Sequence, residues 1–186
     1  MISRNKNLII AAVFILAVIG GAWLMGGEPD VFVPEFPPPP VLWDDPVICD
    51  ETFLVSLEIR VDMLRHNMHL LHRDSHELVP EDGVLFPATA VTAREGDSVF
   101  DVLQRETRQA GIHMSSRFTP MFGSAYVEAI GNIFEFDGGA LSGWMYSVNG
   151  WFPNFGASLH LLSPGNVIEW HYTVDLGRDL GVAWDE

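Results

Sequence analysis

Four histidines stand close together, His66, His69, His72 and His76, in the run RHNMHLLHRDSH. Neutral imidazole is a common zinc and copper ligand, and Asp74 and Glu77 stand near enough to add carboxylates. At about 100° per residue on a helix, His69, His72 and His76 fall within roughly 60° of arc. Three ligands spread over two turns seldom converge on one ion, and only His72 and His76 keep the i, i+4 spacing of helical metal pairs. The run reads as a polar connecting helix or loop, and no metal site is assigned to it.

A second cluster is aromatic. Trp144, Tyr146, Trp151, Phe152 and Phe155 crowd one short stretch, separated by Asn149, Gly150, Asn154 and Gly156. Flat rings with polar tips beside turn residues suit recognition of a flat or glycosidic ligand. The competing reading is core, because alternating aromatics such as Trp144 and Tyr146 commonly fill the buried face of a strand. Trp151, Phe152 and Phe155 follow a turn, where loops more often carry function. The candidate ligand-binding set is Trp144, Tyr146, Asn149, Trp151, Phe152 and Phe155.

Signatures of catalysis are missing. The sequence holds no Walker-type phosphate loop, no dinucleotide fingerprint, no H-E-x-x-H and no G-x-S-x-G. Cys49 is the single cysteine, which excludes an intrachain disulfide. It follows a proline-rich run with no cation to lower its pKa. Asp44-Asp45 and Glu81-Asp82 read as solvated loops, so the chain is expected not to be an enzyme. Twenty-five Asp and Glu against ten Lys and Arg give a formal net charge of −15. That balance excludes nucleic acid as a partner, since binding it needs a positive footprint.

The elements that must hold these residues start with a segment that lies apart from them. Leu8 to Met25 runs LIIAAVFILAVIGGAWLM without a charge, preceded by Arg4 and Lys6. At about 1.5 Å per residue this run reaches about 27 Å, close to a hydrocarbon core. The basic flank keeps the N-terminus cytoplasmic. Residues 1–27 read as a signal anchor, or as a signal peptide cut after Gly20 and Ala22; the unbroken length favours the anchor. The expected location is the cell membrane, single-pass with the domain extracellular, or secreted if the segment is cleaved.

Residues 28–47 hold seven of the twelve prolines. They read as an extended polyproline II linker rather than a ligand for a proline-recognising partner, since such partners are mostly intracellular. An acidic domain is repelled by an anionic membrane surface, and this linker is placed to hold it away. Residues 48–186 are enough for one real core.

Within them, Phe53, Val55, Leu57, Ile59 and Val61 alternate as a half-buried strand, and Thr89, Val91 and Ala93 mark a second. Val99, Phe100, Leu103, Thr107 and Ala110 line one face of a helix, with Ser98 and Asp101 as a capping box and Gly111 as its stop. His113 to Phe118 and Ala125 to Ile130 are short strands. Trp144, Tyr146 and Val148 alternate into Asn149-Gly150, a strong hairpin signal. Ser163-Pro164-Gly165-Asn166 is a turn before a last strand with Ile168, Trp170, Tyr172 and Val174 on one face. The predicted class is α+β, a β-grasp-like mixed sheet with one main helix, preceded by an N-terminal transmembrane helix.

The run Leu141-Ser142-Gly143-Trp144-Met145-Tyr146-Ser147-Val148-Asn149-Gly150-Trp151-Phe152-Pro153-Asn154-Phe155-Gly156-Ala157 resembles the signature of the transcobalamin-like C-terminal domain family. So do Gly165 to Tyr172 with Asp175 to Asp179, Glu95 to Leu103, and Leu78 to Gly83. The resemblance covers about Thr52 to Gly181. It implies a β-grasp-like domain similar to the smaller domain of intrinsic factor and transcobalamin, where that domain closes over cobalamin held by a large helical domain. Bacterial relatives are exported or attached to the surface. The helical partner domain has no counterpart in this sequence, and the cysteines that bacterial relatives carry near Gly138, Ala157 and Val174 are missing.

These readings predict a membrane-tethered, extracellular, non-catalytic ligand-binding module at the cell surface. Its ligand is a small molecule, cobalamin or a related corrinoid being the one the resemblance implies; no cofactor is assigned. The alternative is a protein-interaction domain that docks a surface or transporter partner by a sheet edge.

Overall fold

The computed structural model describes residues 51–183. The N-terminal apolar segment, the proline-rich linker and Cys49 lie outside the described residues.

Alternating polarity makes the first strand. β1 (Thr52–Arg60) buries Val55, Leu57 and Ile59 and turns Leu54 to solvent. Burying a Leu or Ile side chain contributes about 1.5–3 kcal/mol. β2 (Val84–Arg94) pairs antiparallel with β1, with Thr52 opposite Arg94. It is longer than its apolar run predicts, because pairing with β1 carries it back past Pro87 to Val84. A proline is tolerated there since β2 is the edge of its sheet. Val91 and Ala93 are buried, but Thr89, expected beside them, is exposed.

β7 (Val167–Thr173) lies on the other side of β1 and runs parallel to it, with Ser56 opposite Val167. β6 (Gly143–Val148) pairs antiparallel with β7, Tyr146 opposite Trp170. The four strands form a mixed sheet in the order β2-β1-β7-β6.

The main helix, here α2 (Val99–Ala110), begins at the predicted capping box. Ser98 Oγ accepts from the Asp101 N–H at 3.2 Å, and the Asp101 carboxylate accepts from the Ser98 N–H at 2.9 Å. It ends at Gly111 in the left-handed conformation, φ 69°. Val99, Val102, Leu103 and Thr107 are buried, and Ala110 is exposed, against expectation. The apolar face of α2 joins the inner faces of β1, β6 and β7 in one hydrophobic cluster.

The expectation of a single sheet needs correction. β3 (Met114–Thr119), β4 (Ser124–Ile130) and β5 (Ile133–Phe134) form a second, antiparallel sheet of three strands. Short strands joined by tight turns pair with their sequence neighbours, and side-chain periodicity does not say which sheet they join. The architecture remains α+β.

The histidine run also differs from a helix. The short α1 (Asp62–His66) ends where Asn67 Nδ2 donates to the Met63 carbonyl at 2.8 Å. Met68–Leu70 is one 3-10 turn and Arg73–Leu78 two, with Leu71 and His72 extended between them. His69, His72 and His76 therefore share no helix face. Among the described residues no three His, Cys, Asp or Glu side chains are grouped to hold a metal. Nor is any helix there long and apolar enough to cross a membrane.

Candidate functional site

β6 sends Trp144 and Tyr146 inward, 8% and 7% exposed. Trp144 Nε1 donates to the Ile133 carbonyl at 2.9 Å, and its ring meets Tyr172 edge-on at 5.2 Å. Tyr146 Oη donates to the Phe155 carbonyl at 3.0 Å, and its ring lies 5.4 Å from Trp170. Burial pushes the Tyr146 phenol well above its usual pKa.

The strand ends at the predicted turn. Asn149 and Gly150 both have positive φ, 53° and 77°, the pattern of a type I′ turn. Val148 and Trp151 exchange two N–H···O bonds of 2.9 and 3.1 Å. The hairpin goes no further: Trp151 makes a single bridge, and Pro153 has no N–H to extend the ladder. Asn149 is occupied structurally, its Oδ1 accepting from the Val167 N–H at 2.9 Å.

Beyond the turn the chain packs against β4. A Cβ on Gly156 would meet Ser124 Oγ at 1.7 Å, so only glycine allows this approach. Ser158 holds the contact, its Oγ bonded to Ser124 Oγ at 2.9 Å and accepting from the Ala125 N–H at 3.0 Å. Between β4, β6 and this loop lies a cavity of about 410 Å³, walled by Phe122, Tyr126, Trp144, Tyr146, Phe155 and Trp170. Its polar lining is Thr119, Ser124 and Asn154, and no Asp, Glu, Lys, Arg or His lines it.

Three of the six candidate residues, Trp144, Tyr146 and Phe155, meet at this cavity. Asn149, Trp151 and Phe152 do not line it. Trp151 is 57% exposed and leans on Phe155 at 6.1 Å; Phe152 packs on His171 at 5.7 Å. Sequence reasoning missed Phe122, Tyr126 and Trp170. Trp170 was legible as a buried strand residue, but no sequence signal sets β4 against β6.

Charge fixes the Tyr126 wall from outside. Arg117 sits over its ring at 5.2 Å and pairs with Glu128 at 3.2 Å. The Tyr126 hydroxyl donates to the Glu135 carboxylate. Burial first, then that bond, pushes this phenol up to about 12. Beside the cavity, His160 lies 5.5–6.2 Å from the rings of Tyr146, Trp151 and Phe155, and burial lowers its pKa. Among the described residues, His160 Nδ1 and Trp170 Nε1 are buried without a partner.

A family model described as a domain of unknown function, DUF4430, matches residues 96–174. That span contains α2, the second sheet, β6 and β7, and so every cavity wall; β1 and β2 precede it. No curated protein matches the sequence. Among solved structures, haptocorrin in complex with Cbi is similar over 68% of this chain and 26% of its own, at 14% identity and TM-score 0.48. The chain thus spans about a quarter of that structure's length. A protein from Ruminococcus gnavus ATCC 29149, proposed to bind metal, is similar over 65% of this chain and 96% of its own, at 11% identity and TM-score 0.38.

Proposed function

We propose that the chain is a membrane-tethered, extracellular, non-catalytic ligand-binding module of the transcobalamin-like, β-grasp type, with the cavity between β4 and β6 as its site. The cavity itself carries the reading. At about 410 Å³ it falls in the range of ligand pockets, and its walls are aromatic with a few polar groups. It opens onto an exposed apolar rim, with Met121 86%, Phe122 70% and Leu159 51% accessible. Exposed apolar surface continuous with a pocket marks interaction. The side chains that line it suit binding rather than proton transfer, since the phenol of Tyr126 is pushed to about 12 and that of Tyr146 is raised further. A corrinoid, the ligand implied by the sequence resemblance, is amphipathic and near neutral. It would seat one edge in the cavity and rest the remainder on the rim.

The test is a titration of the full chain with cobinamide, read by tryptophan fluorescence and corrected for corrin absorbance. Saturable quenching at micromolar concentration, weakened at least tenfold by Phe155→Ala, supports the reading. No saturable quenching removes the corrinoid, and quenching indifferent to Phe155→Ala removes the cavity as its site.

A further inference from the structure

The cavity lies beside the outer edge of β6 and faces a β4 edge whose Ala125 N–H is already taken by Ser158. Asn149 donates its N–H to the Val167 carbonyl at 2.8 Å, which marks the bonded positions of the β6–β7 ladder. Bonded and non-bonded pairs alternate along antiparallel strands. Ser147, Met145 and Gly143 therefore bond toward β7, while Val148, Tyr146 and Trp144 turn their N–H and C=O groups to the far side. The parallel pairing agrees. Ser56 donates to the Asn166 carbonyl at 2.8 Å, so the even-numbered residues of β7 bond to β1 and leave the odd-numbered ones for β6. Trp151 takes up both groups of Val148. The outward N–H and C=O groups of Trp144 and Tyr146 have no protein partner among the described residues.

β4 presents a matching edge. Its Ala125 N–H points away from β3, toward Ser158, and alternation turns Val127 the same way. β5 and the following Glu135 cover β4 from Glu128 to Ile130, the Glu135 N–H donating to the Glu128 carbonyl at 2.8 Å. Ala125, Val127, Trp144 and Tyr146 all line the cavity. Outward groups on alternate residues recur at about 6.6 Å, the repeat of an extended chain. Backbone polar groups in covered positions are rarely left without partners, and an added strand satisfies such a row.

We propose that this slot accepts an extended segment of a partner protein as an added β-strand, hydrogen-bonded to Trp144 and Tyr146. The proposal rests on the reading of the cavity as a binding site and gives that site a second class of occupant beside the corrinoid. The residues that enter are apolar and uncharged, because no Asp, Glu, Lys, Arg or His lines the slot. Basic residues flank them, complementing a chain of net charge −15 and the carboxylates of Glu128 and Glu135 behind the Tyr126 wall. The other edge of the four-stranded sheet, β2, is guarded. Pro87 interrupts its donors, and Arg105 from α2 donates to the Thr92 carbonyl at 2.5 Å.

The full chain, solubilised in detergent and immobilised, is panned against a randomised library of capped octapeptides with apolar centres and arginine ends. The expected result is a saturable binder. N-methylation of one alternate set of its backbone nitrogens, side chains unchanged, weakens it at least tenfold. The bound peptide slows amide hydrogen exchange at Trp144 and Tyr146 at least tenfold. A library without a saturable binder, N-methylated peptides that bind equally well, or unchanged exchange at both amides overturns the proposal. Cobinamide separates the two readings. If it binds while no peptide does, the added strand is wrong and the cavity reading stands; if neither binds, both fall.

Discussion

Replacing Gly156 by alanine tests the contact that closes the cavity wall. The backbone at Gly156, φ −69° and ψ 147°, suits any residue, so the substitution carries no conformational strain. By restricting the unfolded chain it should stabilise by about 0.4–1 kcal/mol. The new methyl, however, would stand 1.7 Å from Ser124 Oγ and 2.4 Å from Ser124 Cβ. The hydroxyl can rotate; the Cβ of a residue fixed in β4 cannot. Overpacking of this kind costs about 1–3 kcal/mol, for a net loss of about 1–2 kcal/mol. Ser124→Gly removes both offending atoms and leaves the Ala125 carbonyl at 3.5 Å, an ordinary contact, as the next neighbour. Alone it costs about 0.5–1 kcal/mol for glycine in a strand, plus about 0.5–1.5 kcal/mol for the lost bond to Ser158. On that background Gly156→Ala should stabilise by about 0.4–1 kcal/mol, so the coupling is the overpacking term itself, about 1–3 kcal/mol. Urea unfolding of the four proteins of the cycle measures it. Losses that add to within about 0.5 kcal/mol would show that the loop does not press on β4 at this point.

The two tryptophans of the cavity wall, Trp144 on β6 and Trp170 on β7, should respond differently to phenylalanine. Trp144→Phe loses the bond to Ile133, whereas Trp170→Phe removes an N–H without a partner, so the first should cost about 1 kcal/mol more after allowing for equal lost volume. Equal losses in denaturant unfolding would contradict that assignment. All three tyrosines have raised pKa values, so a spectrophotometric titration of the folded chain should show no phenolate step centred at 10. One such step would mean that a phenol is solvated. Burial lowers the pKa of both His160 and His171 below the ordinary 6.5. The unfolded chain therefore takes up these protons first as pH falls, and stability should decline from about pH 6.5 downward. Replacing both histidines by glutamine should flatten this part of the stability profile; an unchanged slope would assign it to other groups.

Locally determined features were the legible ones. The Ser98–Asp101 box, the stop at Gly111, the alternation in β1 and β7 and the Asn149-Gly150 turn all depend on residues within a few positions of each other. The cavity depends on β4 meeting β6, and nothing in Tyr126 or Phe122 as residue types announces that meeting. Counting aromatics near the turn found Trp144, Tyr146 and Phe155, but gave Trp151 and Phe152 the same weight. The chain direction after Pro153, not the composition, divides them. The histidine run, read as a polar connecting helix or loop, is a set of short turns, so the face its rings would share on a helix does not form. Leu71 is the one buried side chain from Arg65 to His76, so the run has no apolar face to hold a helix on the core, and segments this short do not hold helical structure unaided.

The parallel pairing of β1 with β7 joins the first described strand to the last one. Ser56 cannot find Val167 until nearly the whole domain has been synthesised. Sequence separations of this size raise contact order and slow folding. Until β7 arrives, β1 and β2 form a hairpin with an uncovered apolar face and one vacant edge, a species prone to aggregation. A truncation before Val167 would therefore remove the keystone of the sheet, leaving no smaller folded domain, and a translational pause late in the chain would prolong the exposed state most.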